Sequence, residues 1–104
     1  MITDLLWADP SAEIDGFEPS KRGTSYLFGL DVVEKFLGDH EYDLLCRAHQ
    51  VIQEGFEFPF YPEQRAITIF SAPDYCGLGN KGAMLRVDES MSCNLLSILP
   101  DNKV

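Results

Sequence analysis

Four side chains stand out in this sequence for the chemistry that they can perform: Arg22, His49 and the adjacent pair Tyr75 and Cys76. The guanidinium of Arg22 offers planar, bidentate hydrogen-bond donors to phosphate. The neutral imidazole of His49 can ligate a divalent metal when its other ring nitrogen has an orienting partner. Tyr75 and Cys76 stand in a glycine-rich turn, where the phenol can donate to an anion and the thiol can be exposed. None of the four is specific evidence of a site by itself.

Arg22 and His49 also have ordinary structural interpretations, which the local sequence favours. Arg22 lies in an acidic loop, where it would pair with Glu13 or Glu18. His49 follows the apolar residues 44–46, so we expect it at the carboxyl end of a buried strand. Functional groups often lie at such strand ends, but a histidine there can also be a hydrogen-bonded residue of the strand edge.

No complete catalytic or metal-binding motif accompanies these residues. The chain has two histidines, and the other one, His40, is expected to be solvated surface near the end of a helix. There is no His-x-His or Asp-x-His pair, no glycine-rich phosphate loop, no Gly-x-Ser-x-Gly turn and no zinc spacing. For Tyr75 and Cys76, a structural corner and a ligand-facing site are therefore equally favoured on local grounds.

The composition predicts a single globular domain and excludes some classes of partner. The 104 residues include 17 acidic and 8 basic side chains, which gives a formal net charge of -9 at pH 7. Such a chain is not attracted to nucleic-acid phosphates or to anionic lipid surfaces. We therefore expect no nucleic acid and no membrane as partners, and basic peptides or metal ions are favoured.

Cysteine usage predicts a cytoplasmic or nuclear location. Cys46, Cys76 and Cys93 are an odd number of residues at long spacings, which is typical of reduced thiols rather than of a disulfide framework. No signal-peptide pattern opens the chain, and no apolar run approaches the roughly 20 residues of a membrane span. Neither secretion nor membrane insertion is indicated.

The elements that must position these residues are predicted from periodicity. Apolar residues recur at helical spacing over 30–38, with Gly38 as the expected end of that helix. The apolar opening segment breaks at Asp9 and Pro10, so any helix there ends before them. The polar stretch 11–23 has no periodicity and is predicted to be an ordered surface loop or a long connection.

Short apolar runs after the helix predict strands, because they are rich in β-branched and aromatic residues and separated by turn residues. These runs are 43–49, 55–60, 66–72, 83–89 and 93–99. The last four lie close together in sequence, which favours hairpins and a mostly antiparallel sheet. The sequence alone thus predicts an α/β protein of the α+β kind, with one clear helix followed by strands.

Four strings in this order carry a resemblance to a known family: "LLWADP", "RGTSYLFG", "LLCRAHQVIQEGFEF" and "FSAPDYCG". Together they resemble the carboxyl-terminal third of the catalytic subunit of the metal-dependent serine/threonine protein phosphatases, over residues 4–100. "VVEKFL" and "VDESMSCNLLSILP" are most similar to the type-one branch of that family. The resemblance implies that residues 1–104 are the carboxyl-terminal portion of a calcineurin-like metallophosphoesterase domain, a four-layer β-sandwich flanked by helices.

The resemblance also implies roles for the residues named above. Arg22 matches the arginine that grips the substrate phosphate, and Tyr75 matches the tyrosine that borders the phosphate site. His49 matches a histidine ligand of a two-metal centre, which holds manganese, iron or zinc in the full-length enzyme. Cys76 and Asp9 match rim positions that substrates or inhibitors approach. The implied reaction is hydrolysis of phosphoserine and phosphothreonine by metal-activated hydroxide.

A second implied site is a groove where type-one phosphatases dock regulatory subunits that carry an Arg-Val-x-Phe-like segment. Such docking adds an extended peptide to a sheet edge, with apolar side chains in pockets and a basic end near carboxylates. The alternative is that these positions are simply core strand residues. The matching positions are Asp43, Leu44, Phe58, Ile67, Glu89, Met91, Cys93 and Leu95.

This chain also departs from the family pattern. The family's earlier motifs, which supply the other metal ligands and the acid histidine, are absent, so we expect the 104 residues alone to have no appreciable phosphatase activity. The alternative to a phosphatase fragment is a noncatalytic binding module that keeps the regulator groove. The segment 74–83 is one residue shorter than the type-one pattern, and Lys21 replaces an acidic residue, which predicts a weaker acidic groove. A sheet without the rest of its domain would expose apolar surface, so the chain is expected to associate.

Overall fold

Two helices, eight short strands and one 3-10 turn form the part of the chain that the structure, a computed structural model, describes, namely residues 1–100. The helices are α1 (Ile2–Trp7) and α2 (Leu30–His40). The strands are β1 (Asp9–Pro10), β2 (Phe17–Pro19), β3 (Tyr26–Phe28), β4 (Leu45–Arg47), β5 (Phe56–Glu57), β6 (Ala66–Ile69), β7 (Gly82–Val87) and β8 (Cys93–Ile98), and the 3-10 turn is Tyr75–Gly77. The α+β class predicted from the sequence is confirmed.

The described chain divides into two units. The first contains residues 1–49 and 58–67, and the second contains residues 50–57 together with the chain from residue 68 onward. Neither helix within residues 1–100 has the length and apolar character that crossing a membrane requires.

Helix α2 confirms the helix predicted over 30–38 and continues two residues further, to His40. The expectation that Gly38 ends the helix is wrong, because the terminating residue is Glu41, which adopts the left-handed conformation at φ 57°. Its amide donates to the Gly38 carbonyl at 3.3 Å, and the amide of Tyr42 donates to the Leu37 carbonyl at 2.9 Å. These bonds satisfy carbonyls that the end of a helix leaves open.

The buried face of α2 builds the core of the first unit. Val33 and Leu37 are 3% and 1% exposed and pack with Phe60 and Ala66. Phe28, Leu30 and Leu45 pack against this cluster. Burying a leucine side chain contributes about 1.5–3 kcal/mol, so this small cluster is the main apolar support of the unit.

A three-stranded sheet, in the order β1-β3-β2, positions the start of the site. β1 pairs with β3 in parallel, with Asp9 opposite Leu27, and β2 pairs with β3 in the antiparallel sense. The prediction of a loop over 11–23 is therefore incomplete, because β2 lies within it. All three residues of β2 are exposed, so the strand has no alternating apolar pattern that could have indicated it.

The strand predicted over 43–49 is confirmed as β4, but it is shorter. Leu45 begins the strand, and its amide donates to the Arg65 carbonyl at 3.0 Å. The expectation of a buried strand is wrong, because Cys46 is exposed and the other two residues are only half-buried. His49 lies two residues beyond the strand and has a φ of 83°, in the left-handed region.

The strands of the second unit form antiparallel pairs, as predicted, but the expectation of a single sheet is wrong because β5 and β6 belong to one sheet and β7 and β8 to another. β5 pairs with the last two residues of β6, and β7 pairs with β8 over six residues on each strand, from Gly82 opposite Ile98 to Val87 opposite Cys93. Gly55 precedes β5 with a φ of 87°, and a Cβ there would lie 2.6 Å from the Gly82 carbonyl carbon. Only glycine permits this close approach of the two backbones.

Candidate functional site

The carboxylate of Asp9 lies at the centre of a charged cluster in the first unit. Asp9 begins β1 directly after α1, and the residue is 3% exposed. Its Oδ1 accepts a hydrogen bond from Arg47 at 2.7 Å, and its Oδ2 lies 3.4 Å from Nε of Arg22. A buried carboxylate is stable only with such partners, because burial without them costs several kcal/mol.

Arg47 is the buried cation of the cluster. Its side chain is 12% exposed, and besides Asp9 it donates to the backbone carbonyl of Ala8 at 3.1 Å. Burial lowers the pKa of the Arg47 guanidinium, while the hydrogen bond and charge of Asp9 oppose this shift. An arginine nevertheless stays protonated in proteins, so the cluster keeps this positive charge.

Arg22 is the exposed cation of the cluster, and a tight loop positions it. Its backbone amide donates to Oγ of Ser20 at 3.2 Å, and the amide of Gly23 donates to the Ser20 carbonyl at 3.1 Å. The Arg22 side chain is 44% exposed, and its NH1 lies 3.1 Å from Nε2 of His49. Arginine can only donate, so this contact is a hydrogen bond when Nε2 of His49 accepts.

His49 is exposed and lies against an aromatic ring. The centroids of the Trp7 and His49 rings are 4.9 Å apart, with an interplanar angle of 73°. This edge-on geometry is a favourable arrangement for aromatic side chains. Arg22 and Trp7 thus fix the imidazole, although the strand ends two residues earlier.

The structure therefore brings together three of the residues singled out in the sequence: Asp9, Arg22 and His49. The alternative partners expected for Arg22, Glu13 and Glu18, are wrong, because its carboxylate partner is Asp9. Sequence reasoning missed Arg47 and Trp7. For Arg47 strand alternation gives no signal, because β4 ends at Arg47 and His49 lies beyond it in the left-handed region. For Trp7 only its position next to "ADP" could have indicated a role.

The predicted rim residues Tyr75 and Cys76 lie in the second unit. The 3-10 turn Tyr75–Gly77 holds them, and the Tyr75 side chain packs edge-on against Phe70, with centroids 5.2 Å apart at 89°. Tyr75 is 46% exposed. Cys76 is a free, exposed thiol with a φ of 51°, an uncommon backbone conformation for a non-glycine residue.

One buried asparagine organises the loop around this turn. Asn80 is 0% exposed, and its amide group donates to the carbonyls of Ala72 at 2.9 Å and Lys81 at 3.1 Å. Its Oδ1 accepts from the amide of Tyr75 at 2.8 Å, and its backbone carbonyl accepts from the amide of Asp74 at 2.8 Å. The segment that is short relative to the family pattern is thus closed by its own internal hydrogen bonds.

The predicted regulator-docking residues differ in exposure within each unit. In the first unit Asp43 is exposed, Leu44 and Phe58 are half-buried, and Ile67 is 1% exposed. In the second unit the positions are exposed, apart from the half-buried Leu95; they are Glu89, Met91, Cys93 and Leu95. The exposed members of the second unit lie on β8 or in the turn that leads to it.

The first unit also contains an apolar groove of about 340 Å³. Its lining includes Leu5 of α1, Phe17 of β2, Phe28 of β3 and Phe36 of α2. Leu5 is 78% exposed and Phe17 is 64% exposed, so this apolar surface is open to solvent.

The residues present do not fit a two-metal centre. Within residues 1–100 there is no group of three or more histidine, cysteine, aspartate or glutamate side chains that could hold a metal ion. Nε2 of His49 faces the guanidinium of Arg22, and both carboxylate oxygens of Asp9 face arginines. Among the described residues, these acceptor atoms of the cluster thus face arginine side chains.

The comparisons with known proteins agree with the resemblance seen in the sequence. No protein-family model matches the chain. Among solved structures, the fold is similar to a protein serine/threonine phosphatase from Saccharomyces cerevisiae that is described as similar to human phosphatase PP5, with a TM-score of 0.77 and 28% sequence identity. The match covers 94% of this chain and 33% of that one. The chain is thus similar, over nearly its whole length, to one third of a serine/threonine phosphatase, which confirms the family resemblance carried by its four motifs.

Proposed function

We propose that this chain is the phosphate-binding part of a serine/threonine protein phosphatase, in which Arg22 binds the phosphate of phosphoserine or phosphothreonine. The observation that carries the proposal is the half-exposed guanidinium of Arg22, anchored by the buried Asp9 and by His49. A preoriented arginine at the surface is the feature that recognition of a phosphate ester requires.

The electrostatics of the cluster support an anionic ligand. Two guanidinium groups share the one carboxylate of Asp9, so the cluster keeps a net positive charge within a chain of net charge -9. Arg22 donates through NH1 to His49 and directs Nε to Asp9, and a guanidinium has five N–H groups in all. Its remaining N–H groups suit the oxygens of a phosphate.

Hydrolysis itself is proposed only for an assembly that contains the rest of the domain. The chain spans one third of the phosphatase to which it is similar, and its described residues do not fit a metal centre. By itself the chain is therefore expected to bind phosphate without turning over the ester. Tyr75 and Cys76 remain predicted rim residues on the strength of the family resemblance alone.

The test is phosphate binding by the purified chain. Titration with inorganic phosphate and with a phosphoserine peptide, followed by NMR of the arginine side-chain N–H signals, should move the terminal N–H signals of Arg22. Arg22→Ala should remove binding. Arg86→Ala, which removes the same charge from an exposed position on β7, should retain it. Equal binding by Arg22→Ala would refute the proposal.

A companion assay addresses activity. Phosphopeptide turnover by the chain, supplied with manganese, should not exceed the rate without protein. Turnover that disappears in His49→Ala would show that the chain alone is an enzyme, contrary to this proposal.

A noncatalytic peptide-binding role is the second candidate, and the free edge of β8 favours it. Among the described residues, β7 is the strand that pairs with β8, so the other edge of β8 presents unpaired backbone groups. Met91 precedes β8 and is 72% exposed, and Glu89 supplies an acid beside it. An extended segment of the Arg-Val-x-Phe kind could add to this edge as a further strand, with its arginine near Glu89.

Fluorescence anisotropy with a labelled Arg-Val-x-Phe peptide tests this role. We expect binding that weakens in Met91→Ala and becomes less salt-dependent in Glu89→Gln. The matched control is the same peptide with alanine in place of valine and phenylalanine. If the control peptide binds equally well, the second candidate is wrong.

A further inference from the structure

We infer that Arg47 is a positioning residue for Arg22, and that it acts through the buried carboxylate of Asp9. The inference rests on the proposed function, in which Arg22 binds phosphate. It assigns a role in ligand binding to a side chain that is itself buried.

The geometry forms a chain of three side chains. Arg47 donates at 2.7 Å to Oδ1 of Asp9 and at 3.1 Å to the carbonyl of Ala8, so it holds two successive residues at the start of β1. The other oxygen of Asp9 lies 3.4 Å from Nε of Arg22. The side chains of Arg47 and Asp9 are only 12% and 5% exposed, whereas that of Arg22 is 44% exposed. The buried side chains of Arg47 and Asp9 support Arg22, whose exposed guanidinium is accessible to a ligand.

Arg47 affects Arg22 because the two arginines compete for the carboxylate of Asp9. A carboxylate facing a single arginine favours a bidentate pair, which uses two parallel N–H groups of that arginine. Here Arg47 occupies Oδ1, so Asp9 engages Arg22 through Nε alone. Without Arg47, the carboxylate of Asp9 is free to turn toward Arg22 and to occupy N–H groups that a phosphate needs. Arg47 thereby keeps Arg22 both oriented and available.

For the variant Asp9→Asn, simple charge attraction and the positioning role predict opposite changes in phosphate affinity, so this variant tests the inference. Asp9→Asn removes a negative charge beside Arg22, so simple attraction would tighten phosphate binding. Positioning predicts the reverse, because an amide holds Nε of Arg22 more weakly. We expect Asp9→Asn and Arg47→Met each to weaken binding of inorganic phosphate by about fivefold or more. Arg47→Lys, which keeps one charged donor, should fall between Arg47→Met and the wild type.

A double-variant comparison separates positioning from a general structural effect. Arg47→Met should have a smaller effect on phosphate affinity in the Arg22→Lys background than in the wild type, because lysine keeps a cation for the phosphate but lacks the Nε–H that Asp9 holds. An equal loss in both backgrounds would overturn the inference. So would phosphate binding by Asp9→Asn that is as tight as that of the wild type. Urea unfolding checks the fold of each variant, and if Arg47→Met does not fold, Arg47→Lys and Asp9→Asn carry the test.

The same experiments distinguish the inference from the proposed function. If Arg22→Ala binds inorganic phosphate normally, the proposed function fails and the inference fails with it. If Arg22→Ala loses binding while Asp9→Asn and Arg47→Met keep it, only the positioning role is wrong.

Discussion

Replacement of Asn80 by alanine tests how the loop that carries Tyr75 is built. The Asn80 side chain is fully buried and makes three hydrogen bonds, two to backbone carbonyls and one from the amide of Tyr75. Alanine removes all three and leaves the Tyr75 amide and the carbonyls of Ala72 and Lys81 without these partners. At a net 0.5–1.5 kcal/mol for each bond, the free energy of unfolding should fall by about 2–4 kcal/mol.

Asn80→Asp has nearly the same shape and makes a sharper prediction. One oxygen can still accept from Tyr75, but the other would face the carbonyl oxygens of Ala72 and Lys81, to which the amide now donates. Burial and these oxygens would raise the folded-state pKa of the new carboxyl above its unfolded value of about 3.9. A raised folded pKa means that stability is kept below the unfolded pKa and lost as pH rises through the folded one. Relative to the wild type at each pH, the variant should therefore be least destabilised near pH 3.

Urea unfolding gives the stability change, and hydrogen exchange of the Tyr75 amide reports on the turn itself. The exchange should accelerate in Asn80→Ala because the amide loses its acceptor. Asn94→Ala, at an exposed position on β8, is the matched control and should change neither quantity. The reasoning is refuted if Asn80→Ala unfolds within about 0.5 kcal/mol of the wild type and the Tyr75 amide exchanges at the same rate.

Three further predictions concern the first unit. Leu37→Ala should lower the free energy of unfolding by about 2–5 kcal/mol in urea, because Leu37 is 1% exposed in the core; a smaller loss would mean that the core collapses around the gap. The hydrogen bond and charge of Lys35 lower the pKa of Asp39. An NMR titration of Lys35→Ala should therefore show the pKa of Asp39 rising toward its ordinary value. In the wild type, the ion pair is lost as pH falls through the lowered pKa of Asp39. The open apolar surface predicts self-association in sedimentation, which Leu5→Glu should reduce; a monomer at all concentrations would contradict this.

The elements that the sequence predicted well are those whose pattern is local. Helix α2 has apolar residues at helical spacing, and two of them, Val33 and Leu37, are its buried residues. The β7–β8 hairpin follows from two apolar runs joined by a short polar turn. In both cases the residues that determine the element lie within it, so periodicity was sufficient.

The elements that were missed depend on contacts between distant parts of the chain. β2 has three exposed residues and exists because β3 pairs with it, which no periodicity within β2 indicates. The end of α2 at Glu41, rather than at Gly38, depends on a left-handed residue that is not glycine. Likewise the partner of Arg22 was expected among nearby acids, but burial makes Asp9 the partner.

The charged cluster is built from few elements, which supports the proposal that phosphate binding by this chain does not require a complete catalytic centre. Asp9, Arg22, Arg47 and His49 all belong to the first unit, whose core of Val33, Leu37, Phe60 and Ala66 comes from that same unit. The contacts of Asp9 with Arg22 and Arg47, and of Arg22 with His49, thus lie within this unit. A metal centre, in contrast, requires several ligands at once, and the described residues offer no such group. We therefore expect phosphate binding without ester hydrolysis by this chain, and measuring phosphate binding and turnover on the same sample tests this expectation directly.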